Sequence, residues 1–327
     1  MSGEKRMQWL DILKFLGIFG IVLGHISTYV PINNIMYSVL VPLFFFASGI
    51  VYKPRPISED IKRRAKAILV PYLVFGIVTL LYYNLFEHNY REVDLSFGDT
   101  LFGLFSGIFT YLEFNSPLWF LPCFFTVCVI YNIIYSKANK IAAYIFSTVL
   151  FVVYAVLYPL PHLPYEANRT AELMIIFAAG NIAAENKVDA ALAKLKAPLK
   201  LLLAAVFFAA SYGMTYYGYF GNGLILPCAL MGIAALMLLS MLIEKAVLLA
   251  KIGRMTLLIM LIHGPMYRVL VKVSSMLMSC GTDEIRGNMP IAVLLSMITI
   301  FLCAVIYLLL VKIAPWSIGL KKENCMS

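Results

Sequence analysis

The sequence predicts an all-α fold: a polytopic transmembrane helix bundle of about ten spans, with both termini cytoplasmic. Three observations carry this. Of 327 residues, 62% are apolar and only 13% charged, far from the roughly half apolar and one quarter charged of soluble domains. The apolar residues fall into runs of the length a helix needs to cross the hydrocarbon, about 20 residues. The basic residues segregate to one set of joints between those runs, which marks cytoplasmic loops.

The expected spans are 9–30, 36–52, 67–85, 117–135, 141–159, 171–184, 201–220, 224–243, 256–272 and 290–311. The first is too long for a signal-peptide core and has no small-x-small cleavage site after it, so it reads as a true span. Residues 101–113 are apolar but interrupted by glycine, which predicts an interfacial or re-entrant piece leading into the fourth span. The sixth span is the shortest. These spans use up the chain, so residues 1–327 read as one transmembrane domain with its chemistry inside the bundle or at its mouths.

The joints Pro31–Ile35, Phe86–Thr100, Leu160–Thr170, Gly221–Gly223 and Val273–Met289 carry little basic charge. Twenty of the 26 Lys and Arg lie on the other side, in Lys53–Lys66, Ser136–Lys140, Glu185–Lys200, Glu244–Met255 and the two tails. The net charge of +9 is therefore explained by topology, and nucleic acid is not an expected partner; membrane lipids are. The six cysteines, Cys123, Cys128, Cys228, Cys280, Cys303 and Cys325, lack metal-ligand spacing, and no metal is expected.

Ionisable side chains inside spans are costly and point to function. The first span holds Asp11, Lys14 and His25. At 100° per residue, Lys14 and His25 differ by about 20° in azimuth and Asp11 by about 40° on the other side, so the three share a face. Along the axis Lys14 and His25 are roughly 16 Å apart, so one ligand touching both is long and threads the membrane. For Asp11 and Lys14 the plainer alternative is an i,i+3 ion pair, with Lys14 snorkelling to the cytoplasmic interface. For His25 it is a satisfied histidine near a helix end.

Other candidates follow the same logic. His263 lies mid-span, and Pro265 just beyond it is expected to weaken the local helix. His88 and His162 fall in outer loops and receive no role. Arg63 and Arg64, within Lys62–Lys66, stand at the cytoplasmic mouth, where they can hold phosphates or simply set topology. At the outer mouth of the fourth span Glu113, Asn115 and Trp119 combine an acid, an amide and a ring, a set suited to a sugar, although interfacial Trp also occurs without ligand.

These residues occur in an order that resembles the acyltransferase-3 family of bacterial membrane proteins. The opening Trp9-Leu-Asp11-Ile-Leu-Lys14 and the later Leu-Gly24-His25 are similar to that family's first span. Four further pieces agree: Pro42-Leu-Phe-Phe-Phe-Ala-Ser48-Gly49; Lys62-Arg63-Arg64 leading to Leu69-Val-Pro71-Tyr72; Pro117-Leu-Trp119-Phe-Leu-Pro122; and Ile252-Gly253 through Leu261-Ile-His263. Together they cover nearly the whole chain.

The resemblance implies transfer of an acyl group, most commonly acetyl from acetyl-CoA, to a hydroxyl of a cell-surface glycan or lipid-linked saccharide, in the plasma (inner) membrane. His25 matches the family's essential histidine, and Lys14 stands where many members have arginine. Relatives that modify deoxy sugars often have a histidine before the Pro-Leu-Phe-Phe piece; here Leu40-Val41 precede Pro42, so their acceptor is not carried over. On this reading CoA enters near Arg63, Arg64 and Lys14 and lies along the first span. His25 is then the general base, because an imidazole titrates near pH 6.5 and can take a sugar hydroxyl's proton. An acyl-histidine intermediate is the open variant. Asp11 is too far along the helix to orient His25 and serves to hold Lys14. Glu113, Asn115, Trp119 and His263 are the candidate acceptor contacts. The competing class is a glycan transporter or flippase, which inverted repeats and paired broken helices would favour.

Overall fold

The structure is a computed structural model describing residues 7–91, 95–216 and 225–320. The joint expected at Gly221–Gly223, the tail residues Lys5, Arg6, Lys321 and Lys322, and Cys325 lie outside the described residues. Among the described residues no strand occurs, and these residues form fourteen helices of six or more residues. They are α1 Gln8–Ile26, α2 Val30–Ile50, α3 Ile57–Tyr90, α4 Phe97–Ser106, α5 Glu113–Lys137, α6 Lys140–Leu157 and α7 Ala167–Glu185. Then follow α8 Val188–Ala193, α9 Ala197–Tyr216, α10 Ile225–Leu242, α11 Val247–Gly253, α12 Thr256–Met278, α13 Thr282–Gly287 and α14 Met289–Ile313. Nine of them, α1, α2, α3, α5, α6, α9, α10, α12 and α14, are long and apolar enough to cross a membrane. The expected sixth span is α7. Its 19 residues are helical, but Asn168, Arg169, Glu172, Asn181 and Glu185 lower its hydropathy.

Helix ends differ from the sequence reading where charge or proline intervenes. The basic stretch before the third span is expected as a joint, yet α3 begins at Ile57. Glu59 and Asp60 occupy its first turn and Lys62, Arg63 and Arg64 follow, an order that suits the helix dipole. Pro31, expected in a joint, sits in the first turn of α2, where its missing N–H costs nothing.

Two Leu-Val-Pro triplets, ending at Pro42 and Pro71, share one device. Each follows a widened π turn, Met36–Leu40 and Ala65–Leu69, closed by Val41 N–H to Met36 O and Val70 N–H to Ala65 O. A proline ring clashes with the carbonyl four residues earlier and leaves it without a donor. The extra residue in the turn makes the proline the second residue of a resumed helix.

The stretch 101–113 falls partly in α4 and partly in a 3₁₀ turn at Phe109–Tyr111; α4 is started by a capping box in which Ser96 and Asp99 satisfy each other's backbone N–H, and stopped by Gly107 at φ +67°. Only glycine adopts that left-handed stop without strain.

The chain divides into two compact units: residues 1–52, 176–256 and 270–300, and residues 53–175, 257–269 and 301–327. In the first, α1 lies against α2, α10 and α11, with Ile12, Leu13, Ile18 and Val22 fully buried. In the second, the core is built on α3, α4 and α5 around Leu104, Phe114, Leu118 and Tyr131.

Candidate active site

In the first unit the site is carried by α1. Asp11 is buried, whereas Lys14 and His25 are half-buried. Lys14 Nζ lies 2.7 Å from Asp11 Oδ1, so the i,i+3 ion pair forms. A third member comes from 243 residues away: Arg254 Nε donates to Asp11 Oδ2 at 3.0 Å. Arg254 is missed in the sequence, where it counts only as one more cation in a basic joint. Its placement depends on Gly253, whose backbone lies so close to α1 that a Cβ would stand 1.8 Å from Asp11 O. One carboxylate thus faces two cations, both partly exposed. The surplus positive charge is chemistry suited to a phosphate.

His25 occupies the last turn of α1, where a cation or a polarised imidazole suits the negative end of the dipole. That end is fastened by the segment around α13. Arg286 Nε donates to Ile26 O at 3.0 Å, Thr28 N–H donates to Arg286 O at 3.3 Å, and Ser27 N–H closes onto Leu23 O at 2.8 Å. The residue next to His25 therefore has its carbonyl capped by a guanidinium.

In the second unit Arg63 and Arg64 both turn to Asp60, a carboxylate 1% exposed. Arg63 Nη2 to Oδ1 is 2.9 Å and Arg64 Nε to Oδ2 is 2.6 Å. Arg64 is mostly covered, while Arg63 is 47% exposed and keeps donors for another anion. Asp60, unnoticed in the sequence, sits at the i,i+4 spacing from Arg64 that signals such a pair.

His263 is fully buried on α12. Its Nδ1 stands 2.8 Å from Ile259 O and 3.1 Å from Met260 O. Both are acceptors, so Nδ1 carries the proton and Nε2 carries the lone pair in the neutral ring. The expected weakening by Pro265 does not break the helix: α12 runs unbroken from Thr256 to Met278. Leu261 O, the carbonyl that Pro265 deprives of a backbone donor, instead accepts Asn115 Nδ2 at 2.8 Å.

Asn115 is fully buried at a non-helical turn, φ −154° and ψ 73°, inside the 3₁₀ stretch Glu113–Trp119 that opens α5. Its Nδ2 also reaches Thr79 Oγ1 at 3.3 Å. Two arginines hold this turn: Arg91 Nη2 donates to Glu113 O at 3.0 Å and Arg268 Nη2 to Phe114 O at 2.9 Å. The Glu113 residue is exposed.

Trp119 is 4% exposed, with the Arg169 guanidinium 4.4 Å from its ring centroid and Phe109 edge-on. Phe109 stacks on His162, whose Nδ1 is 3.0 Å from Glu166 Oε1. Glu166, fully buried, also accepts Phe109 N–H at 2.8 Å and pairs with Arg169. His162, given no role in the sequence, thus joins the network around Trp119. Asn115, Glu113 and Trp119 each keep separate partners. Among the described residues, no group of three or more His, Cys, Asp or Glu is arranged to hold a metal.

A family model, acyltransferase-3, described as an acyltransferase domain, matches residues 7–308. No curated protein and no solved structure matches the chain.

Proposed function

The chain belongs to the acyltransferase-3 family and is a membrane acyltransferase; on that premise we propose that it moves an acyl group, most commonly acetyl, from cytoplasmic acyl-CoA to a hydroxyl of an extracytoplasmic or lipid-linked glycan. The observation that carries this reading is the arrangement of α1. His25 sits in the last turn of the helix, and Lys14, eleven residues earlier, belongs to a cation pair that Asp11 only half neutralises. The rise of about 1.5 Å per residue puts some 16 Å between them, a length suited to a pantetheine arm.

Positive-inside charge counting supports cytoplasmic termini, and the family likeness supports the plasma membrane. Phosphates then meet Lys14 and Arg254 on α1 and α11. The donor supplies a thioester carbonyl made in the cytoplasm. His25 takes the proton of the acceptor hydroxyl as the new ester forms. It then passes that proton to the departing sulfur, so that CoA leaves as the thiol and the imidazole is neutral again. Asp11 holds the two cations and takes no proton. On the acceptor side of this scheme stand Glu113, which is exposed, and Asn115, Trp119 and His263, which are buried and act from beneath the surface.

The test is acetyl-CoA turnover by purified protein in detergent, with released thiol as readout and mixed envelope glycans as acceptors. Wild type is compared with His25→Ala at matched thermal profiles. Glycan-dependent turnover abolished by the substitution is the expected result. Absent turnover together with no thermal shift on adding CoA or acetyl-CoA overturns the reading in favour of a glycan transporter.

A further inference from the structure

The two arginines that hold the turn at Glu113 and Phe114 carry more positive charge and more donors than their protein partners use. Arg268 Nε donates to both oxygens of Glu87, at 3.0 and 2.9 Å, and its Nη2 to Phe114 O. Arg91 spends Nη2 on Glu113 O. Its Nη1 is buried without a hydrogen-bond acceptor and lies 3.6 Å from Glu87 Oε2, an ion-pair distance beyond hydrogen-bond reach. Glu87 already serves Arg268 twice and interacts with Tyr82, so it has little left to offer. Among the described residues, the hydrogen-bonded and ion-paired cluster sets two guanidinium groups against the one carboxylate of Glu87, in a largely covered place. Burial and the neighbouring Arg268 both push the Arg91 guanidinium below its ordinary pKa, as two cations sharing one counter-ion should.

We propose that the Arg91–Arg268 pair is a binding site for an anionic oxygen group, carboxylate or phosphate, carried by the acceptor. A guanidinium fork matches both groups. An oxygen placed against Arg91 Nη1 completes the donor that Glu87 misses and neutralises the surplus charge. The Tyr83 ring beneath the Arg91 guanidinium, 5.5 Å from its carbon, keeps the fork in place. Arg91 follows the last residue of span α3, and Glu113 opens span α5. Arg91 and the turn it holds thus lie at the ends of α3 and α5 that the charge count assigns to the exterior, and Arg268 reaches them from within α12. The inference rests on the proposed acyltransfer only in calling the ligand the acceptor.

Binding is measured by calorimetry on the full chain in phosphatidylcholine nanodiscs, with glucuronate and glucose as probes and no acyl donor present. The expected result is at least tenfold tighter binding of glucuronate, weakened by salt, with the preference lost in Arg91→Gln. If Arg91→Gln does not fold, Arg91→Lys, which keeps the charge but not the fork, is expected to retain only part of the preference. Equal binding of the two sugars overturns the proposal, as does a glucuronate preference untouched by either substitution. Stabilisation by phosphatidylglycerol nanodiscs that depends on Arg91, without any glucuronate preference, gives the site to a lipid headgroup and overturns the acceptor assignment. Because no thioester is involved, failure here leaves the turnover result standing, and the reverse holds too.

Discussion

Asn115 Nδ2 donates at 2.8 Å to Leu261 O, the carbonyl that Pro265 leaves without a helical donor. A side chain on α5 thus repairs the break a proline makes in α12, at a site where Asn115 and Leu261 are both fully buried. The pair predicts a thermodynamic cycle. Asn115→Ala orphans the buried carbonyl and is expected to cost about 1–3 kcal/mol. In a Pro265→Ala background the backbone N–H of residue 265 takes that carbonyl, and the cost of Asn115→Ala should shrink. Unfolding of the four proteins in the same detergent measures the coupling. Equal costs in both backgrounds would show that Asn115 acts through Thr79 alone.

Asp11 binds two cations, so the substitutions around it should not be symmetrical. Asp11→Asn leaves Lys14 and Arg254 facing each other, whereas Arg254→Ala leaves the Lys14 pair at 2.7 Å intact. The first is expected to destabilise by about 1–3 kcal/mol. The second should cost less than about 1 kcal/mol, because Arg254 is 42% exposed and solvent screens its pair. Thermal unfolding of both variants reads the difference, and a costlier Arg254→Ala contradicts this order.

The apolar runs make the long helices legible, and within the stretch 101–113 Gly107 marks where α4 stops. Within α1 the i,i+3 spacing of Asp11 and Lys14 was also enough to foresee the ion pair. What stayed hidden are contacts between residues far apart in sequence: Asp11 with Arg254 over 243 positions, and Glu87 with Arg268 over 181. Arg254 looks like a topology signal, and Arg268 like a stray cation near a span end, until packing supplies each with a carboxylate. The local exception is Asp60, whose spacing to Arg63 and Arg64 was readable while its burial was not. Pro265 was read as a weak point because the partner that repairs it, Asn115, comes from another helix.

The capping box at Ser96 gives a pH dependence outside the spans. The Ser96 hydroxyl and backbone N–H hold the Asp99 carboxyl below its ordinary pKa. A lowered folded-state pKa means the stabilisation is fully present above the unfolded value, near pH 3.9, and is lost as pH falls through the folded one. Hydrogen exchange at the first amides of α4 should therefore quicken only below about pH 4 once intrinsic rates are divided out. In Asp99→Asn that pH step should vanish.

The separation of His25 and Lys14 along α1 predicts separable kinetic defects under the proposed acyltransfer. A general base acts in the transition state, so His25→Ala should lower kcat by about 10²–10⁴ and leave the acyl-CoA dissociation constant unchanged. Lys14 is placed to meet a charged end of the donor, so Lys14→Ala should raise KM for acyl-CoA about tenfold, a loss of roughly 1.4 kcal/mol, with little change in kcat. Lys14→Arg restores the cation and should recover most of that affinity, whereas Lys14→Gln should not. Asp11→Asn separates structure from contact, because it weakens the fold yet leaves both cations available to the donor. Its KM, measured below its melting temperature, should stay near wild type. A kcat loss in Lys14→Ala equal to that of His25→Ala would show that Lys14 acts at the reacting centre and would end the assignment of the two residues to opposite ends of the donor.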